Sequence, residues 1–529
     1  MNFKKSRIAK VIGAASLAAL MAVGSFATVF AATPTAADNK TITFASTQGA
    51  TGTFKGYQLL KVVNFNKGDT TTPMKDVVYA VADDSVTTFF SATGAGGKAG
   101  YSLDADMQIL KGGKKITTDA TETKALATLV ASSVADGTLT LPTVSTTVSG
   151  GKQSVTAAPG YYVFVETPGT DGEGTQNGRI LTKPMLVNLI ANKNSTVKDD
   201  KINLTKKIVE DAKRVDASTA DNTDDVKYEV KSAIPNYAEN TDFTKVKYSF
   251  SDTFDGLTYK ADSMVVTVGG TKVDATNYTF TPATNNKSFT LSFKADYLKT
   301  NQGKAVQLNY TGTMDSPNVT DTARPNSITL TYSNNPTNLS ETGTLSDNVT
   351  TYTSKFDILK LDKNNAAIKL AGAQFTIAKD GAVLKFRKVV GTDTAKTVTY
   401  VYDKAGTVTT VESDANGTIR LDGLADGTYT VTETKAPAGY AKLATPFTVT
   451  ATAAKNASGE PTGVFTHTSA TATFSSMKGT TLTVLNQKGV SLPETGATTA
   501  IALAGVGTLI VAGGAVFMIL SKKKKNASK

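Results

Sequence analysis

Cysteine and tryptophan are absent from this sequence, and histidine occurs once, at position 467. Without Cys there is no disulfide and no thiolate nucleophile. One His leaves no pair for an HExxH zinc site, and neither a P-loop nor a nucleophile elbow occurs. His467 stands in a Thr-rich context suited to a strand surface. Paired carboxylates for glycoside cleavage need only Asp and Glu, but nothing singles out a pair. The sequence therefore argues against an enzyme and implies no metal or cofactor.

Negative charge is missing from both ends. The formal net charge is +11, which on its own suggests a nucleic-acid partner. Four of those charges are Lys4, Lys5, Arg7 and Lys10. Five more are Lys522, Lys523, Lys524, Lys525 and Lys529, and no Asp or Glu lies in either end segment. Without the two ends the balance falls to +2, so a nucleic-acid function is not expected. The N-terminal charges belong to "MNFKKSRIAK", the n-region of a signal peptide. "VIGAASLAALMAVG" is its h-region, and "TVFA" places small residues for cleavage after Ala31. The chain reads as exported, yet it uses no disulfide, so any covalent staple must be of another kind.

What is present is β-type composition, with 43 Gly and many Thr in 529 residues. That length suits about three domains of ~150 residues. Period-two alternation, punctuated by Gly, Asn and Asp turns, divides the exported body into residues 40–197, 198–350 and 351–490. An all-β architecture of tandem immunoglobulin-like β-sandwiches is expected. One amphipathic helix is predicted in the first part, over "TETKALATLVASSVADG", where Leu126, Leu129, Val130 and Val134 recur at helical spacing.

The chain closes with Leu492-Pro493-Glu494-Thr495-Gly496, then an uncharged stretch from Ala497 to Leu520, then the lysines. The stretch is long enough to span a bilayer as a helix, with the basic tail inside. Pentapeptide, apolar span and basic tail, in that order, resemble the cell-wall sorting signal of Gram-positive bacteria. The resemblance implies that a sortase cuts between Thr495 and Gly496 and passes Thr495 to an amine. The membrane insertion would be transient and the final attachment would be to peptidoglycan.

Three polar residues of the third part fall on core-facing positions. Alternation groups Lys360 with Phe356 and Ile358, Glu433 with Tyr429 and Val431, and Asn486 with Leu482 and Val484. The competing reading for each alone is a strand end that reaches solvent. Burial favours a neutral amine and a neutral acid. The amine is then a nucleophile, the carboxamide an electrophile and the acid a proton shuttle, all held in contact. The product would be a Lys–Asn isopeptide bond with loss of ammonia. "YTVTETKAPAGY" resembles the E-box of Gram-positive pilins, and "KLAGAQFTI" the early strand of their collagen-adhesin B-type domains. That resemblance implies a spontaneous Lys360–Asn486 bond promoted by Glu433.

The middle part repeats the pattern. Lys206 alternates with Ile202, Leu204 and Ile208; Asp252 with Val246, Tyr248 and Phe250; Asn326 with Ile328, Leu330 and Tyr332. Lys206 is preferred to Lys207 on alternation alone. The segment from "VKYEVKSAIPNY" to "LTYSNNP" resembles the second domain of fimbrial backbone subunits, which implies a Lys206–Asn326 bond promoted by Asp252. In the first part "GYYVFVETPG" puts Tyr162, Phe164 and Glu166 on one face, with Lys61 and Asn188 as candidate partners. An ordinary sandwich without a bond is the preferred reading there.

Pilins of this class join subunits through a lysine near the end of the first domain, in a Tyr-Pro-Lys-Asn motif. Here Lys193-Asn194 remains, with Ala191 and Asn192 in place of Tyr and Pro. Lys193 is the first choice for the linking amine, and Lys198 and Lys201 are alternatives. The resemblance as a whole implies the shaft subunit of a sortase-assembled pilus. Its partners would be pilin-class and housekeeping sortases, identical subunits head to tail and minor pilins. A monomeric wall-anchored adhesin or minor pilin is the alternative.

Overall fold

The computed structural model describes residues 33–489 except 47–52, 67–73, 118, 150–151, 168–177, 198–199, 239–240, 316–322, 392–396 and 471–472. Within these residues the chain forms successive pairs of packed β-sheets, as the alternation predicts.

In the first part, β1 (Lys40–Ser46) lies between β7 (Lys193–Val197) and β3 (Lys152–Ala157). The facing sheet holds β2 (Thr53–Asn64), β4 (Gly160–Thr167) and β6 (Met185–Leu189). Ile42, Phe44, Phe54, Tyr162 and Phe164 fill the space between the sheets. This part is more than a sandwich. Helices α1 (Asp84–Phe90), α2 (Ala95–Lys98) and α3 (Ala120–Ala135) cover the other face of the β4 sheet, where Leu126 and Val130 meet Tyr161 and Val163. The expected helix is α3, begun by the Asp119 side chain accepting from the amides of Thr121 and Glu122. Being covered on both faces, β4 is buried along nearly its whole length and shows no alternation of burial.

The junction with the middle part is interwoven. Strand β5 (Arg179–Ile180) pairs with β8 (Asp200–Lys201), and Ile180 and Ile202 both belong to the middle core. Gly178 is required here, since it has φ +76° and a Cβ would stand 1.8 Å from the Ile202 carbonyl oxygen.

One sheet of the middle part holds β9 (Thr205–Glu210), β10 (Asp225–Ala233) and β12 (Ala305–Met314) in that order. The other holds β14 (Thr342–Tyr352), β13 (Ala323–Ser333) and β11 (Tyr248–Phe254). In the third part, β15 (Ser354–Asp362) lies between β17 (Thr418–Leu424) and β21 (Thr481–Asn486). Its facing sheet runs β16 (Gln374–Lys379), β18 (Gly427–Lys435), β19 (Phe447–Lys455) and β20 (Pro461–Thr468). Only Thr353 separates β14 from β15. Across this junction Asn222 N donates to the Gly423 carbonyl at 2.8 Å, and Lys379 pairs with Asp221 at 3.0 Å.

Candidate functional site: two buried lysine–carboxyl–asparagine clusters

Strand β15 enters the core with Phe356, Ile358 and Lys360 on one buried face, so Lys360 is carried inward by the same alternation that packs its neighbours. β21 runs parallel beside it, with Lys360 opposite Val484 and Asp362 opposite Asn486. Glu433 reaches the pair from β18 on the facing sheet. Lys360 Nζ donates to the Val484 carbonyl oxygen at 3.1 Å and lies 3.8 Å from Glu433 Oε1. Asn486 Nδ2 donates to Glu433 Oε2 at 3.1 Å and to the Ala441 carbonyl at 2.6 Å, and Leu443 N donates to Oε2 at 2.7 Å.

Glu433 Oε1 and Asn486 Oδ1 are buried without a hydrogen-bond partner among the described residues. Burial lowers the Lys360 amine to about 8, against the opposing pull of Glu433. A buried amine so lowered gives up its proton more readily than an exposed lysine does.

The middle cluster uses the same residue types in a different arrangement. Lys206 projects from β9 on one sheet, and Asp252 and Asn326 project from β11 and β13 on the other. All three are fully buried. Asp252 stands opposite Ile328 and Phe254 opposite Asn326, so Asp252 and Asn326 are diagonal neighbours on one face. Lys206 Nζ donates to Asp252 Oδ2 and to the Tyr310 hydroxyl, and Tyr310 in turn donates to Asp252 Oδ2. The rings of Tyr228 and Tyr310 flank the amine, with centroids 5.0 and 5.1 Å away. Asp252 Oδ1 and both amide atoms of Asn326 are buried and have no hydrogen-bond partner among the described residues. Burial pulls the Lys206 amine down and pushes the Asp252 carboxyl up, each opposed by the other's charge. Lys207 is half-buried and bonds Asp216 at 2.6 Å, so Lys206 is the inward residue of the two.

Tyr310 was not among the residues singled out from sequence. Its signal is faint, because Val306, Leu308 and Tyr310 alternate inward as ordinary core residues. Asp347 was also missed; its carboxylate accepts the Lys206 amide at 2.6 Å and pins the backbone of β9 to β14.

Among its described residues the first part assembles no such cluster. Glu166 is buried, but it pairs with Arg179 and accepts from Thr182 N at 2.7 Å. Lys61 is exposed, and Asn188 exchanges hydrogen bonds with the Tyr79 hydroxyl. The candidate trio Lys61, Glu166 and Asn188 is therefore not brought together. Glu166 has a cation of its own, and Lys61 points to water. His467 departs from expectation too. Rather than lying on a strand surface, it turns inward from β20, its Nε2 2.9 Å from Ser354 Oγ, with Nδ1 buried.

Of the candidate linking amines, Lys193 opens β7, paired in parallel with Ile42 of β1, and is exposed. It borders a cavity of about 410 Å³ that Tyr161, Asn188 and Asn194 also line. Lys201 is exposed on β8, and Lys198 lies outside the described residues. The signal peptide, Leu492 to Gly496 and the apolar span lie outside them as well. Among the described residues no helix is long and apolar enough to cross a membrane, and no His, Asp and Glu cluster could hold a metal.

Residues 354–462 match the family model of the SpaA prealbumin-like fold domain, and residues 485–527 match the LPXTG cell wall anchor motif. No curated protein matches the chain. Among solved structures, the three-domain backbone pilin of Streptococcus pyogenes superposes with a TM-score of 0.56 at 18% identity, over 85% of this chain and 99% of that one. The major pilin SpaD of Corynebacterium diphtheriae gives 0.47 at 18% identity, over 86% and 99%. The major pilin of Bacillus cereus gives 0.41 at 17%, over 85% and 99%. The chain thus carries a prealbumin-like domain and an LPXTG cell wall anchor motif on the fold of a three-domain backbone pilin, and is an exported protein attached to the cell wall.

Proposed function

We propose that the protein is the shaft subunit of a covalent surface pilus, polymerised and wall-anchored by sortases and stapled internally by two isopeptide bonds. The observation that carries this reading is the pair of buried Lys–carboxyl–Asn clusters placed in series between an exposed lysine and an anchor motif. Its role is structural. The chemistry is performed by the chain on itself, once per cluster.

In each cluster the carboxyl takes a proton from the ammonium, leaving a neutral amine beside a neutral acid. Nζ of Lys360 attacks Cγ of Asn486, while the Glu433 proton polarises the carbonyl. The new N–C bond forms, the Cγ–Nδ2 bond breaks, and Nδ2 leaves as ammonia after taking a proton. The attacking nitrogen gives up a proton in exchange, so Glu433, which entered as a carboxylate, ends protonated and keeps the proton it took from the Lys360 ammonium. Lys206, Asp252 and Asn326 follow the same balance. The two bonds differ in what they join. Lys206–Asn326 ties one sheet of the middle part to the other. Lys360–Asn486 ties the first and last strands of the third part within one sheet.

Between subunits, a pilin-class sortase joins Thr495 of one subunit to Lys193 of the next, and a head-to-tail contact of this kind grows an open fibre. A housekeeping sortase transfers the finished polymer to peptidoglycan, and minor pilins join through the same chemistry. The test is co-expression with the cognate sortase, followed by boiling in detergent. A ladder of high-mass species reacting with antibody to this protein is the expected outcome. A monomer alone would instead make it a wall-anchored adhesin or minor pilin.

A further inference from the structure

We propose that Tyr310 is a fourth member of the middle reaction centre, holding the Lys206 amine in its attacking orientation and sorting the two oxygens of Asp252. This rests on the isopeptide reading above.

The geometry gives the reason. A neutral amine has two N–H bonds and one lone pair. Lys206 Nζ donates to two partners, Asp252 Oδ2 and the Tyr310 hydroxyl. With both N–H bonds engaged, the lone pair occupies the remaining direction. Without the hydroxyl, one N–H has no partner in a buried site, and the amine rotates among orientations that do not react.

The hydroxyl also acts on the carboxyl. Asp252 Oδ2 accepts from both Lys206 and Tyr310, whereas Oδ1 has no partner. An oxygen that already accepts two hydrogen bonds is the poorer site for a proton. The proton that neutralises Asp252 therefore resides on Oδ1, where it can serve the carbonyl of Asn326, whose own oxygen is buried and unpartnered. The third part shows the contrast. There Lys360 Nζ donates to the Val484 carbonyl, and among the described residues no hydroxyl bridges amine and acid.

The experiment follows ammonia loss by intact mass after cell-free synthesis of the exported chain. Wild type should lose two ammonia masses. Tyr310→Phe should lose the first, from the third part, at the wild-type rate, and the second roughly tenfold to a hundredfold more slowly, as expected for one lost hydrogen bond at a charged group. Its rate profile should also shift its acid limb to higher pH, because Asp252 has lost a donor to its carboxylate, and a purely packing role would not move that limb. A second loss as fast as wild type, or faster, would overturn the proposal. No loss in wild type would overturn the isopeptide reading itself. Should Tyr310→Phe fail to fold, 3-fluorotyrosine at position 310 decides, since it keeps the shape and the hydroxyl but makes the hydroxyl more acidic. A changed second rate supports the role, and an unchanged one refutes it.

Discussion

Lys360 and Asn486 lie on neighbouring parallel strands, offset by two residues in register, with both side chains turned into the core. The first and last strands of the third part are thus already adjacent. Lys206 and Asn326 instead stand on strands of two different sheets, both buried. The proposed chemistry would serve both topologies, because it needs only a buried amine, a buried amide and an acid between them.

Mass is the most direct check on the staples. The exported body should weigh two ammonia masses less than its sequence. Glu433→Ala should restore one of these and Asp252→Ala the other, independently, because distant sites add. Each bond closes a loop of about 120 residues or slightly more, worth roughly 5 kcal/mol by analogy with a disulfide. Each variant should therefore melt lower and open one part of the protein to trypsin, with an uncross-linked lysine left in its core.

Lys193→Arg, with the cognate sortase present, should abolish the polymer ladder and leave anchored monomer. Its exposure on β7 makes the substitution harmless to folding, so an unchanged melting temperature is expected alongside. A ladder that persists would transfer the role to Lys201 or Lys198.

Bond formation in the third part should be flat across neutral pH and fall about tenfold per unit above about 8, where the Lys360 amine titrates. The reactive state holds one proton between amine and acid. Above that value the shared proton is lost, and in acid the amine stays charged. Stability has its own dependence. The folded value lies below the ~10.4 of a free lysine, so the unfolded chain binds more protons between the two. Unreacted Asn486→Ala protein should therefore be least stable below about 8 and gain stability as pH rises through that window. Ammonia release and thermal melts across pH 5–10 check both. A rate still climbing above pH 9 would contradict the shared-proton state.

Pulling the fibre should expose one extensible element between the two bonds. With both bonds formed, load passing from Lys193 bypasses residues 207–325 and 361–485. Between the bonds only residues 327–359 remain, most of them in the β13–β14 hairpin, paired from Ala323 opposite Tyr352 to Ser333 opposite Thr342. Single-molecule extension should show a step of roughly 110 Å for about 33 residues at ~3.4 Å each. Glu433→Ala should add a much longer step from the third part.

Alternation carried the sequence reading furthest where one strand face is buried and the other wet. Lys206, Asp252, Asn326, Lys360, Glu433 and Asn486 were all legible as inward polar residues, because the period of two is a property of the backbone. The same rule failed in the first part. β4 is covered by helices on one side and by the facing sheet on the other, so both of its faces are apolar and the alignment of Glu166 with Tyr162 and Phe164 carried no information about partners.

By itself, then, the sequence determined the β-type alternation, the LPXTG anchor motif and the inward direction of the six polar side chains in the two clusters. These are local properties of composition, order and spacing. The tertiary structure alone decided which buried groups meet. It brought Glu433 from the facing sheet to Lys360 and Asn486, added Tyr310 from β12 to Lys206 and Asp252, and gave Glu166 to Arg179 rather than Lys61. Those encounters join residues 13 to 104 positions apart in the chain, and only the long-range pairing and stacking of strands sets which of them occur.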